Sequence, residues 1–241
     1  MRTDKLSALF QKAPQLIAFI TALTLANAAP VSLELFTSQS CSSCPAAEAL
    51  FRDYAKRDDL VALEWHIDYW DKLPARPNGA WRDVYSSKAN TARQRVYNKK
   101  IRGRSTVYTP QAVIGGRTET VGSRKRTIDS LISNAAPAAG AKIEMRRDGD
   151  KISLSAAGPE GASVRLVRFI NAATTRVRAG ENDGRDLAEA HIVTEASALA
   201  EIGAKPAASS FDAPDPGHGC AILLEEGGEG GPVLAAQYCP S

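Results

Sequence analysis

Two cysteines separated by two residues are the part of this sequence best able to do chemistry. Cys41 and Cys44 enclose Ser42-Ser43, and Pro45 opens a segment with helical periodicity. At a helix start, unpaired backbone N–H groups and the positive end of the helix dipole stabilise a thiolate. A thiolate attacks a substrate disulfide, and a second cysteine one turn later resolves the mixed disulfide. We therefore predict that Cys41 is the nucleophile and Cys44 the resolving thiol.

The same cysteine pair also fits two other interpretations, a static disulfide that only fixes the turn and half of a metal site. A zinc site usually has a second ligand pair at similar spacing, whereas Cys220 and Cys239 are much farther apart. Haem attachment needs a histidine after the second cysteine, and Pro45 occupies that position. We therefore assign no metal and no cofactor other than the redox-active disulfide itself.

The elements that must position this pair alternate between strand and helix. Apolar and helical periodicities predict strands at 31–36, 60–67, 107–114 and 118–121, and helices beginning near residues 45, 81 and 124. This order, with the cysteines on the first strand-to-helix turn, is thioredoxin-like. After the small-residue segment 135–140, short strands separated by Gly, Asp and Pro predict an antiparallel sandwich or sheet. The predicted fold class is α/β, with a thioredoxin-like domain at 29–136 and a smaller β-rich, sandwich-like region at 141–241.

Thr109-Pro110 is predicted to bind substrate beside the cysteines. It lies near the start of the third strand. In thioredoxin-like folds a cis proline at this place lies against the cysteine pair and leaves the preceding backbone free to bind a peptide. A cis X–Pro bond is uncommon, so it would be a selected feature. A proline on an edge strand is the alternative interpretation.

Glu34 is a candidate proton relay. It lies seven residues before Cys41, on the strand that leads to it. Burial would raise the pKa of its carboxyl group into a range useful for exchanging a proton with the resolving thiol. The alternative is a strand-end carboxylate that faces solvent or forms a salt bridge.

A cluster of aromatic and titratable residues follows the second strand, between His66 and Asp71. Ligand sites in α/β layers tend to open at the carboxyl ends of strands. His66 and Trp70 are therefore predicted to line a substrate groove. Two alternatives remain, which are core packing and a copper site in which His66 joins Cys41 and Cys44 as a ligand.

The remaining cysteines, Cys220 and Cys239, flank an apparent hairpin. An even number of cysteines in an oxidising compartment suggests disulfides. We predict that these two form a structural disulfide, worth roughly 3 kcal/mol for a loop of this size.

The N-terminus resembles a secretory signal peptide over residues 1–28. Residues 1–12 are basic, residues 13–26 are apolar, and Ala26-Asn27-Ala28 supplies the small residues that a signal peptidase reads. An apolar run of about 14 residues is shorter than the roughly 20 that a bilayer requires. We expect a cleaved signal, a mature chain without a membrane span, and a periplasmic or secreted location. Retention as an uncleaved anchor is the alternative.

Composition and charge exclude two classes of protein. With 44% hydrophobic and 24% charged residues, the chain has the composition of a folded globular protein rather than a disordered one. Arg2, Lys5 and Lys12 against Asp4 contribute +2 of the formal net charge of +3, which leaves +1 for the mature chain. Such a charge gives no basic footprint, so nucleic acid is not an expected partner.

Four ordered segments of the chain resemble one family closely. They are ELFTSQSCSSCP (Glu34–Pro45), HIDYWD (His66–Asp71), RQRVY (Arg93–Tyr97) and YTPQAVIGG (Tyr108–Gly116). Weaker similarity continues through GRDL (Gly184–Leu187) and CAILL (Cys220–Leu224).

The family that these segments resemble is the secreted bacterial family catalogued as domain of unknown function 1223. The resemblance implies a thioredoxin-like fold followed by a β-rich portion, together with export. The chain departs from the family's pattern at Ser40, where relatives usually have glycine, and in the Pro- and Arg-rich stretch after Trp70. The cysteine motif itself is intact.

Together these features predict an exported thiol–disulfide oxidoreductase that acts on a protein or small-molecule thiol or disulfide. The alternative is a non-catalytic periplasmic protein that binds copper, or a partner, on a thioredoxin-like scaffold. Neither the oligomeric state nor the direction of electron flow follows from the sequence.

Overall fold

The computed structural model describes residues 29–73, 79–135 and 138–241, so the predicted signal peptide lies outside the described residues. The elements, in chain order, are β1 (Val31–Thr37), α1 (Pro45–Tyr54), β2 (Leu60–His66), α2 (Lys88–Arg102), β3 (Gln111–Ile114), β4 (Thr118–Val121), α3 (Lys125–Ser133), β5 (Lys142–Asp148), β6 (Lys151–Ala157), β7 (Ser163–Arg176), β8 (Asp186–Glu201), β9 (Ala207–Asp212), β10 (His218–Glu225) and β11 (Val233–Tyr238). Two short 3-10 helices cover Trp70–Lys72 and Gly180–Asn182.

Eight strands form one mixed sheet in the order β11-β10-β7-β8-β2-β1-β3-β4. β1 and β2 pair in parallel, from Val31 opposite Leu60 to Thr37 opposite His66. On the other side of β2, the sheet continues into β8 through the parallel pair Glu64–Ile192. β5, β6 and β9 form a second, antiparallel sheet.

The predicted fold class is wrong. The described residues are mostly β, with 43% in strands and 19% in helices, and the fold is not a typical thioredoxin α/β fold. Strands β7, β8, β10 and β11, which were assigned to a separate sandwich-like region, extend the same sheet as β1 and β2. An unpaired strand edge exposes backbone N–H and C=O groups, and β8 satisfies such groups on the free edge of β2. The predicted domain boundary between residues 136 and 141 stays a prediction.

Local sequence signals explain where the helices begin and end. α1 begins with Pro45, whose missing N–H is not needed in the first turn. α2 begins at Lys88 because the Ser87 hydroxyl accepts a hydrogen bond from the backbone N–H of Asn90 at 3.1 Å. It ends where Gly103 adopts a left-handed conformation with φ of 69°.

β1 and β2 are buried on both faces, which explains their nearly continuous apolar sequences. Leu33, Leu35 and Ala62 pack with α1 and α3 on one face. Phe36 and Trp65 pack on the other face with residues of α2. Successive side chains of a strand alternate between faces, so every second residue of β2 faces α1. A third core lies between the second sheet and strands β7 and β10.

Within the described ranges, no helix is both long and apolar enough to cross a bilayer.

Candidate functional site

Cys41 and Cys44 form a disulfide at the start of α1, with their Cα atoms 5.4 Å apart. Cys44 is the residue that caps the helix, and its carbonyl oxygen accepts the first hydrogen bonds of the helix. The side chains of Ser42 and Ser43 are exposed, whereas the exposed fraction of both cysteines is 0%. The predicted cysteine pair is therefore at a helix start, but the sulfurs are closed off from solvent.

The 3-10 helix Gly180–Asn182, which we call the covering helix, lies over the cysteine loop. The Asn182 side-chain amide donates to the backbone oxygens of Gln39, at 2.9 Å, and of Cys41, at 3.0 Å. The Ser42 backbone N–H donates to Glu181 Oε2 at 3.0 Å. These contacts bring together residues about 140 positions apart, and they hold a polar segment against the backbone of the cysteine loop.

Thr109-Pro110 and Trp70 contact each other near α1. The Trp70 indole N–H donates to Thr109 Oγ1 at 2.7 Å, and the Thr109-Pro110 peptide bond is cis. Pro110 packs where Gly122 approaches α1, since a Cβ at Gly122 would lie 3.2 Å from both Ala47 and Pro110. Trp70 also borders a small cavity together with Ser40, Trp81 and Glu181. The structure thus brings two of the predicted substrate-binding positions together.

His66 is fully buried, on the face of β2 that α1 covers. Its Nδ1 lies 2.7 Å from Asp83 Oδ2, and its Nε2 lies 3.7 Å from Glu64 Oε1 and 3.8 Å from Glu189 Oε1. Neither His66 Nε2 nor Glu64 Oε1 has a hydrogen-bond partner among the described residues. We call Glu48, Glu64, His66, Asp83 and Glu189 the histidine cluster.

The histidine cluster contains groups that titrate near neutral pH. Burial and the Glu64 carboxylate raise the pKa of Glu48 to about 8. Burial also raises the pKa of Glu189, to about 7. Burial by itself would lower the pKa of His66, but Asp83, Glu64 and Glu189 together outweigh it, and the net pKa lies well above the ordinary value. One imidazolium among four carboxyl groups cannot neutralise all of them, so the cluster retains protons.

Gln39 connects the histidine cluster to the cysteine loop. Its backbone N–H donates to Asp83 Oδ2 at 2.8 Å, and its side-chain amide donates to Glu189 Oε1 at 2.9 Å. Its backbone oxygen accepts from Asn182, which also binds Cys41. A continuous set of hydrogen bonds therefore runs from His66 to the backbone of the disulfide.

Glu34, the predicted proton relay, lies in a different cluster. Arg93 donates to Glu34 Oε2 at 2.7 Å and to Oε1 at 2.9 Å, and it also donates to Glu225 Oε1 at 2.7 Å. The Arg93 guanidinium stacks on the Trp65 ring. We call Glu34, Arg93, Tyr97, Arg165 and Glu225 the arginine cluster. Trp65 and Tyr97 belong to the core on the α2 side of the sheet, so Glu34 and α1 lie on opposite faces.

Cys220 and Cys239 form the second disulfide. The Cys239 backbone N–H donates to the Cys220 oxygen at 2.8 Å, which continues the pairing of β10 with β11. The predicted pairing of the four cysteines is therefore present.

Five residues around the disulfide were not singled out from the sequence. They are Gln39, Glu48, Glu64, Asp83 and Glu189. Only Glu64 had a visible signal, since it interrupts the apolar run of β2, and a charged residue in such a run is rarely buried without a partner. Among the described residues, no three or more His, Cys, Asp or Glu side chains are arranged to hold a metal ion.

Comparison with known families gives a match over most of the chain. The model of the family described as protein of unknown function (DUF1223) matches residues 32–224. The chain belongs to this family. In this DUF1223 protein, the matched residues include Cys41 and Cys44, the histidine cluster and the covering helix. The membership of this family that the sequence suggested is thereby confirmed, whereas the match does not bear on the export that the resemblance implied.

Two solved structures are similar to the DUF1223 chain. A crystal structure of protein AGR_C_4864 from Agrobacterium tumefaciens is 27% identical, with a TM-score of 0.72 over 88% of this chain and 94% of that one. HBP35 of Porphyromonas gingivalis is 12% identical, with a TM-score of 0.54 over 88% of this chain and 74% of that one, which shows a shared fold only. No curated protein matches the chain.

Proposed function

We propose that the Cys41–Cys44 disulfide is redox-active and exchanges with a thiol of another protein or a small molecule. The protein would thus be a thiol–disulfide oxidoreductase that acts outside the cytoplasm. The observation that carries this proposal is the position of the disulfide, at the start of α1 and in hydrogen-bonded continuity with buried groups that titrate near pH 7. A disulfide that only fixed a turn would need no such neighbours.

The start of α1 supports Cys41 as the group attacked and released. When the disulfide opens, the helix dipole and the free N–H groups of the first turn favour a thiolate there. Cys44 then resolves a mixed disulfide from one turn away. Thr109 lies beside Trp70 at the border of the cysteine loop, where its backbone could pair with a bound peptide. The direction of exchange depends on the partner.

Because both sulfurs are buried and the covering helix is bonded to the cysteine loop, we infer that exchange requires this helix to move. Within the part of the chain that the structure describes, hydrogen bonds from the Ser42 N–H to Glu181 and from Asn182 to two backbone oxygens, three in all, hold it to the loop. At about 1 kcal/mol each, their loss costs about 3 kcal/mol, so roughly one molecule in a hundred would be open at any time. Local opening of this size is ordinary for loops at functional sites. It slows exchange without preventing it.

The compartment supports the same proposal. Two disulfides agree with an oxidising environment, which matches the predicted export to the periplasm or beyond. Such a compartment also supplies thiol and disulfide partners.

The deciding experiment is a redox titration of the folded protein in dithiothreitol buffers, followed by alkylation and mass spectrometry of each cysteine pair. We expect Cys41–Cys44 to be reduced at a potential above about −300 mV, while Cys220–Cys239 remains oxidised in the same molecules. The second disulfide is thus an internal control for loss of structure.

The complete burial of both sulfurs favours one second candidate, a static disulfide that holds the end of β1 against α1. If both pairs are reduced together, and only where the fold is lost, this second candidate is correct and the proposed exchange is wrong.

A further inference from the structure

Glu48 is the buried acid nearest in sequence to the cysteine pair. It lies one helical turn after Cys44 on α1, and its backbone N–H donates to the Cys44 oxygen at 3.0 Å. Residues four apart on a helix share a face. The exposed fraction of Glu48 is 1%, so its carboxyl group lies on the inner side of α1, in the first turn of the helix that Cys44 caps.

The groups facing the Glu48 carboxyl come from each of the three strands packed against it. Thr37 of β1 donates to Glu48 Oε1 at 2.6 Å. Glu64 and His66 of β2 and Glu189 of β8 supply the other charges that act on it. Two nearby carboxylates disfavour a third negative charge, whereas the Thr37 hydroxyl and His66 favour it. Glu48 is therefore balanced between its two protonation states.

We propose that Glu48 is the proton relay of the Cys41–Cys44 couple, donating a proton to Cys44 as the disulfide is reduced and accepting it back on oxidation. This inference rests on the proposed function and extends it. It replaces Glu34 in that role, because Glu34 is held by Arg93 on the opposite face of the sheet. The burial and the raised pKa of Glu48 agree with the role.

The reaction with a dithiol reductant balances as follows. A thiolate of the reductant, whose proton has passed to solvent, attacks Cys41 Sγ and forms a mixed disulfide. The electron pair of the broken S–S bond leaves on Cys44 Sγ, which takes the proton of Glu48. The second thiol of the reductant then attacks the reductant's own sulfur in the mixed disulfide, which forms the disulfide of the oxidised reductant and releases Cys41. The proton of that second thiol passes to Cys41 through solvent. Glu48 regains from solvent the proton that the first thiol lost.

The test is the rate of reduction of the native protein by dithiothreitol between pH 6 and 9.5, divided at each pH by the rate for a Cys-Ser-Ser-Cys peptide. The division removes the titration of the reductant itself. With a pKa of about 8, Glu48 loses most of its protons between pH 7 and 9, so the ratio for the unmodified protein should fall about tenfold over that interval.

In Glu48→Gln the ratio should not change with pH, and at pH 7 it should be at least tenfold lower than in the unmodified protein, as expected when a proton donor is lost. Asp53→Asn is the matched control, because Asp53 is an exposed acid on the same helix and should keep the original profile. An unchanged profile in Glu48→Gln overturns the relay but leaves the proposed function in place. Absence of native-state reduction in the unmodified protein overturns the proposed function instead.

A second variant keeps the inference testable if Glu48→Gln does not fold. Thr37→Val removes the hydroxyl that stabilises the Glu48 carboxylate. The fall in the rate ratio should therefore move to higher pH. A fall at the original pH contradicts the relay.

Discussion

The arginine cluster and the histidine cluster lie on opposite faces of β1 and β2, and they differ in charge balance. The arginine cluster has two carboxylates and two guanidinium groups, and both carboxylates have cationic partners at 2.7–2.8 Å. The histidine cluster has four carboxyl groups and one imidazole. Two of its polar atoms lack a hydrogen-bond partner among the described residues.

This difference separates a fixed structural network from a titrating one. Both carboxylates of the arginine cluster have arginine partners, and arginine keeps its proton at all ordinary pH values. Buried carboxyl groups that outnumber their cations change protonation near neutral pH, here with pKa values of about 7 and 8. The titrating cluster is the one that hydrogen bonds connect to the disulfide. The position of the histidine cluster and its excess of carboxyl groups therefore both indicate that the functional face of the sheet is the one that α1 covers.

The largest expected effect is the loss of the central cation of the arginine cluster. Arg93→Met would leave Glu34 buried without a cation and deprive Glu225 of one of its two partners. We expect a loss of about 3–5 kcal/mol in the free energy of unfolding, measured by urea denaturation. Arg95→Met, an exposed position on the same helix, is the control and should change stability by less than about 0.5 kcal/mol. A loss below about 1 kcal/mol for Arg93→Met would contradict the view of this cluster as a structural network.

The next effect is a pH-dependent gain in stability on removing an acid from the histidine cluster. The folded protein raises the pKa of Glu48 from 4.5 to about 8, so between these values the folded state binds a proton that the unfolded state releases. Stability from this group is present below about pH 4.5 and is lost as pH rises. Glu48→Gln removes the titration. The free energy of unfolding of Glu48→Gln should therefore equal that of the unmodified protein near pH 4 and exceed it by about 3 kcal/mol at pH 7.

Urea denaturation from pH 4 to 8 checks this prediction. Asp53→Asn on the same helix should show no comparable trend. A stability difference between Glu48→Gln and the unmodified protein that is constant across this range would mean that Glu48 does not titrate as the burial and neighbouring charges require.

Local sequence patterns predicted much of the first half of the fold. The strand at 118–121 has the bounds predicted for it, and the strands at 31–36 and 60–67 were placed to within one residue. The tight turn at Gly115-Gly116, where both residues have positive φ, lies between the strands predicted at 107–114 and 118–121. These elements were accessible because each is an apolar or helical run bounded by its own turn residues.

The sheet that unites the two halves could not be predicted in this way. β7 and β8 are 14 and 16 residues long, whereas the sequence predicted only short strands in this part of the chain. The pairing of β8 with β2 joins residues more than 120 positions apart. Local periodicity carries no information about such partners, so the sequence did not predict that strands from both halves share the eight-stranded sheet.

The residues of the candidate site also divide into those that local sequence patterns identify and those that depend on contacts between distant parts of the chain. Cys41, Cys44, Trp70 and Thr109 were recognised because their residue types and spacing suggest chemistry. Glu48 looked like an ordinary polar residue of an amphipathic helix. Its burial depends on Thr37, Glu64 and Glu189, which come from three different strands. The sequence singled out Glu34 instead, because a strand buried on both faces does not show which of its residues face α1.

The smallest expected effect compares one hydrogen-bonding side chain on each face. Asn182→Ala removes two hydrogen bonds between the covering helix and the cysteine loop. At about 1 kcal/mol for each bond, the closed state would lose about 2 kcal/mol, and the rate at which dithiothreitol reduces native Cys41–Cys44 would rise about thirtyfold. Tyr97→Phe is the matched variant, because it removes a hydroxyl bound to Glu34 and Arg93 at similar cost.

If the disulfide is reached by local opening of the covering helix, Tyr97→Phe should leave the reduction rate within twofold of the original, since the arginine cluster takes no part in that opening. If both variants accelerate reduction in proportion to their loss of global stability, the disulfide is reached only by unfolding of the whole sheet. The two faces would then share one cooperative transition, and the histidine cluster would have no separate connection to the cysteines.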